Sequence, residues 1–124
     1  LEAKSQSTGA QLADAPKVSG LIGADYTRPL SGNLELNAGA RLSFSSNQIH
    51  RNPALPRGTG DYQVADFHIG LDNTVSGWSV RAEVKNAFEE RYEVFSFIQP
   101  LVSAGVVGAY NPPRTILLSV RKSF

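Results

Sequence analysis

Arg114-Thr-Ile-Leu-Leu-Ser-Val-Arg-Lys-Ser-Phe124 is the stretch that decides how this chain folds. Ile116, Leu118, Val120 and Phe124 fall on one face of an extended segment, and Thr115, Ser119, Arg121 and Ser123 on the other. Successive side chains of a strand point to opposite faces, so an apolar surface here backs a polar one. A strand between lipid and a wet lumen needs that division, and so does an amphipathic strand of a soluble sandwich. Leu117 on the polar face and Lys122 on the apolar face break the alternation. Lys122 lies near the end of the segment, where its stem can follow lipid while its ammonium reaches water.

The same period recurs toward the N-terminus. Trp78, Val80, Ala82 and Val84 oppose Ser79, Arg81, Glu83 and Lys85, and Ala65, Phe67, Ile69 and Leu71 oppose Asp66, His68 and Asp72. Leu34, Leu36, Ala38, Ala40, Leu42 and Phe44 oppose Glu35, Asn37, Arg41 and Ser43. Val18, Ile22, Ala24 and Tyr26 oppose Ser19, Asp25 and Thr27, with Gly20, Leu21 and Gly23 blurring the pattern. No helical period competes with these runs. The reading is all-β, with five strands near residues 17–28, 34–46, 62–72, 78–87 and 114–124.

The connections alternate in length. Pro29-Leu-Ser-Gly-Asn33 and Asn73-Thr-Val-Ser-Gly77 are tight turns, whereas Ser45 to Asp61 and Phe88 to Pro113 are long and rich in Pro, Gly, Asn and aromatics. Short turns at one end and long loops at the other are the plan of an antiparallel transmembrane β-barrel, short toward the periplasm and long outside. Strands of about ten residues, tilted by about 40°, span the roughly 25 Å lipid-facing band. On the apolar face, Tyr26, Trp78 and Phe124 lie toward the short-turn ends, and Phe44 and Phe88 toward the long-loop ends. Two aromatic levels around an aliphatic band match the girdles of the membrane interfaces. Five strands cannot close around a lumen, and an open edge in lipid leaves backbone groups unpaired at several kcal/mol each. The expectation is a piece of a larger barrel.

Composition removes several function classes. With 12 Lys+Arg against 11 Asp+Glu in 124 residues, no electrostatic footprint for nucleic acid is present. The chain has no cysteine, which excludes disulfides, thiolate metal sites and thiol nucleophiles. No apolar run reaches the roughly 18 residues of a membrane helix. Leu1-Glu-Ala-Lys-Ser5 is neither the basic start nor the apolar core of a signal peptide, so an exported protein is expected to have more chain before it. No nucleophile–base pair and no paired-carboxylate spacing is recognisable, so no enzymatic activity and no cofactor are expected. His50 and His68 lie on different elements without ligand spacing, so a metal held by protein ligands is not expected either.

Three motifs carry a resemblance. In chain order they are Asp14-Ala-Pro-Lys17 entering a strand, Lys85-Asn-Ala-Phe-Glu-Glu-Arg-Tyr92 leaving one, and Tyr110-Asn-Pro-Pro-Arg-Thr115 entering the terminal strand. With their spacing and their position against the C-terminal Phe124, the chain resembles the C-terminal part of the barrel of a TonB-dependent outer-membrane receptor. Lys122 departs from the aromatic or apolar residue usual in that family. The resemblance implies the last strands of a 22-stranded, plugged barrel in the cell outer membrane. It implies energised uptake of a scarce ligand such as a ferric siderophore, driven by a periplasmic TonB-type coupling protein acting through an N-terminal part. The implied partners are outer-membrane lipid, the remainder of the barrel with its plug, and the barrel-assembly machinery, for which Phe124 serves as recognition signal. Other readings are the end of a porin or specific channel, and a soluble ligand-binding β-domain.

Residue roles follow that frame. Glu35, Arg41, Asp66, His68, Arg81, Glu83 and Lys85 are expected to line the lumen as a charge ladder. Tyr92, Phe95, Phe97, Gln99 and Tyr110 on one long loop are candidate contacts for a small-molecule ligand, possible also as packing of the loop on itself. Arg51 and Arg57 on the other loop, beside His50, suit either an anionic ligand or lipid phosphate, or plain solvation. If iron is carried, its ligand atoms belong to a chelator.

Overall fold

A computed structural model describes residues 15–49, 55, 60–99 and 105–123. Seven strands are present among these residues: β1 (Ser19–Pro29), β2 (Leu34–Ser45), β3 (Tyr62–Asn73), β4 (Trp78–Lys85), β5 (Glu93–Ile98), β6 (Val106–Tyr110) and β7 (Thr115–Lys122). They form an antiparallel five-stranded sheet in the order β1-β2-β3-β4-β7 and a separate two-stranded sheet of β5 and β6. The five strands of the main sheet fall where the alternation places them. The stretch Phe88 to Pro113, expected as a long loop, instead contains the β5–β6 hairpin. Glu93-Val-Phe-Ser-Phe-Ile98 carries apolar residues on both faces, so it lacks the alternation that marks the other strands.

Register makes the apolar face continuous. Tyr26, Ala38, Ile69, Ala82 and Leu118 form one cross-strand row, and Arg28, Leu36, Leu71, Val80 and Val120 the next. Trp78 pairs with Lys122 one row further, at the short-turn end. Tyr26 is therefore two rows inward of Trp78 along the strands. Gly20 lies under the ring of its cross-strand partner Phe44, which covers backbone that a larger residue would push aside. The tight turns take left-handed backbone at Gly32 (φ 71) and Gly77 (φ 66), where a side chain would be strained.

The sheet has no conventional core. Ala65, 4% exposed, is the only buried hydrophobic residue among those described. Ile116, Leu118 and Val120 are each 73% exposed. Burial of a large aliphatic side chain contributes about 1.5–3 kcal/mol, and this sheet gathers almost none of it from its own residues. On the central strand β3 the usual relation is inverted: Phe67, Ile69 and Leu71 are exposed, whereas Asp66 and His68 are half-buried and Gly70 is buried. A Cβ at Gly39 would collide with Asp25 and His68, and one at Gly70 with Asn37. The polar face is thus the crowded, concave one.

Candidate functional site

Among the described residues, two places bring chemistry-bearing side chains together. The first is the concave face. All seven charged residues expected on one side share it, because β-alternation and the observed register put Glu35, Arg41, Asp66, His68, Arg81, Glu83 and Lys85 on the same parity. Arg41 sits directly opposite Asp66, and His68 opposite Glu83. His68 Nε2 lies 3.5 Å from Asp25 Oδ1, reaching over Gly39. Lys85 Nζ is 3.6 Å from Glu83 Oε1 on its own strand, and Asn37 donates its side-chain amide to Asp72. Asp25, Arg41, Asp66, His68, Arg81, Glu83 and Lys85, with Leu21 and Gly23, line an open trough of about 510 Å³. Half-exposed pairs of this kind contribute ~0–1 kcal/mol each, so their collective effect is a wet, charge-balanced surface rather than a rigid core. Among the described residues, no group of three or more His, Cys, Asp or Glu is arranged to hold a metal ion.

The second place is the rim where the hairpin joins the sheet. Here two of the quoted motifs meet. Asn86, in left-handed backbone (φ 50), donates its side-chain amide to the carbonyls of Glu90 (2.9 Å) and Pro112 (3.0 Å) and accepts from Glu90 N–H (2.9 Å). Asn111 donates to the same two carbonyls, at 2.9 and 3.3 Å, and accepts from Tyr92 N–H at 2.9 Å. Asn86 N–H in turn donates to Asp66 Oδ1 at 2.9 Å, which ties the rim to β3. Both asparagines are buried, at 4% and 8% exposure. Each bond contributes about 0.5–1.5 kcal/mol net, and leaving one of these buried amides without a partner costs about 1–3 kcal/mol. These asparagines were not singled out by sequence reasoning; their appearance in both motifs was the available signal.

The candidate loop contacts are sorted by the structure. Tyr92 stacks on Tyr62 of β3, with centroids 3.8 Å apart and planes at 10°. Burial, and then the neighbouring Tyr62, raise the Tyr92 phenol above its ordinary value of 10.0. Tyr92 therefore packs the rim. The Tyr110 ring lies 5.9 Å from the Arg91 guanidinium, and Gln99 N–H closes the hairpin onto Gly105 O at 2.9 Å. Phe95 and Phe97 remain as an exposed pair on β5, 52% and 48% exposed, with centroids 6.2 Å apart and planes at 10°. Of the expected girdle residues, Phe88 packs edge-on against Phe67 on the apolar face, at 6.3 Å. His50, Arg51, Arg57 and Phe124 lie outside the described residues.

No protein-family model matches the chain, and no curated protein or solved structure is significantly similar to it.

Proposed function

We propose that the chain is a segment of a transmembrane β-barrel in the outer membrane, with the apolar face in lipid and the charged face toward a wet lumen. The observation that carries this reading is the inversion on β3, with Phe67, Ile69 and Leu71 open and Asp66, His68 and Gly70 enclosed. In water alone an apolar face of this breadth marks an interaction site or an aggregation hazard; in hydrocarbon it is the surface the solvent requires. Covering by lipid also explains why the sheet has no core of its own. The free edges of β1 and β7 call for further strands, because unpaired backbone in hydrocarbon costs several kcal/mol per group.

Within that reading, the three motifs favour a TonB-dependent receptor over a porin. Its activity is then energised uptake of a small scarce ligand, such as an iron chelate, with a plug and a periplasmic coupling protein as partners. The exposed Phe95–Phe97 pair suits contact with a flat, apolar part of such a ligand. The absence of cysteine from the chain permits a direct test. Single cysteines at 66, 67, 68, 69 and 71, introduced into the whole protein in its membrane with any cysteines outside this chain replaced, should react alternately. A water-soluble thiol reagent reaches 66 and 68, and a lipid-dissolved quencher reaches labels at 67, 69 and 71. Equal aqueous reactivity at all five positions sinks the membrane reading. Uptake of a ferric chelate that persists after the membrane is de-energised, with the alternation intact, sinks the receptor reading alone.

A further inference from the structure

The β5–β6 hairpin pairs with itself and with nothing else in the sheet: among the described residues, neither of its strands approaches β1, β2, β3, β4 or β7. A lone two-stranded hairpin is marginal in water, and this one is apolar along much of its surface, with Val94, Phe95, Phe97, Ile98, Val106 and Val107 all exposed. Among the described residues, what joins it to the sheet is its two stems, residues 86–92 and 111–114. Those stems are joined side by side. Asn86 and Asn111 share the Glu90 and Pro112 carbonyls as acceptors, and the Asn111 N–H donates to Tyr92 O at 3.1 Å. The Tyr62–Tyr92 stack and the Asn86–Asp66 bond then fasten the joined stems to β3.

We infer that Asn86 and Asn111 are positioning residues, which make the β5–β6 hairpin a rigid arm continuous with the sheet. This rests on the reading above only in giving the arm its purpose. A ligand meeting Phe95 and Phe97 would find a surface already in place, so no loop ordering is spent on binding. The chemistry is suited to the task. An asparagine amide donates two hydrogen bonds and accepts through its carbonyl oxygen, so one buried side chain can hold both stems at once. Asn also tolerates the left-handed backbone at 86 better than most residues.

The test uses nitroxide labels on cysteines at 97, on the arm, and at 82, within the sheet, in the whole protein with any cysteines outside this chain replaced. In the unmodified protein both labels should report immobilised spectra. Asn111→Ala, and separately Asn86→Gly, which keeps the left-handed turn and removes the side chain, should shift label 97 to the fast component expected of a free loop. Label 82 should not change. An unchanged spectrum at 97 in both variants overturns the inference, as does equal loosening at 82, which would make the asparagines general stabilisers of the fold. Lumen and lipid accessibility along β3 does not enter this readout, so failure here is separable from failure of the barrel reading.

Discussion

Leu117 and Leu118 are adjacent, chemically identical and placed on opposite faces, so replacing each by arginine interrogates the two faces separately. Leu118 is the fourth of the eight residues of β7, near the middle of the strand, in the row with Ile69 and Ala82. If that row is solvated, Leu118→Arg alters a side chain already 73% exposed, and the change stays within about 0.5 kcal/mol. If the row lies in hydrocarbon, an arginine near the midplane costs about 2–4 kcal/mol, roughly a 30- to 700-fold loss in the folding equilibrium at about 1.4 kcal/mol per tenfold. Leu117 is paired with Glu83 across the strand on the polar face. Leu117→Arg sets opposite charges side by side, for which about 0.2–1 kcal/mol of stabilisation is expected, against a small loss of apolar contact. The assay is reversible urea unfolding of the whole protein from lipid vesicles, followed by tryptophan fluorescence. Two variants with equal stability, or Leu117→Arg as the weaker one, would refute the assignment of faces.

Three further outcomes are expected. Gly70→Val drives a side chain into Asn37 and breaks its bond to Asp72; overpacking of about 1–3 kcal/mol should appear as a lower urea midpoint with an unchanged slope. Gly77→Ala forces a side chain into left-handed backbone, 3.1 Å from Ser123 O, and about 1 kcal/mol or more of strain should appear in the same unfolding assay. Tyr92 should titrate above 10.0 in a tyrosinate absorbance titration, and Tyr62→Phe should lower its pKa only part of the way, because burial is the larger cause. The sign is fixed by linkage. The folded protein retains this proton more strongly than the unfolded chain, so stability falls as pH rises from about 10 toward the raised folded value.

Alternation along the chain was enough to name both faces of every strand in the main sheet, because a strand's side-chain period is a local property of its backbone. From that, Glu35, Arg41, Asp66, His68, Arg81, Glu83 and Lys85 could be placed on one surface before any pairing was known. Tight turns at 29–33 and 73–77 were equally legible, since Gly and Asn answer to backbone angles within a few residues. What lay beyond the sequence were relations between distant positions. The β5–β6 hairpin was missed because apolar residues on both faces erase the period. Asn86 and Pro112 are bonded across 26 positions, and only the fold shows that two separate motifs are halves of one joint. Curvature decided the rest. Whether Phe67 or His68 is the enclosed side of β3 depends on which way the whole sheet bends, and that is set by glycines and side chains on neighbouring strands rather than by any one strand's own pattern.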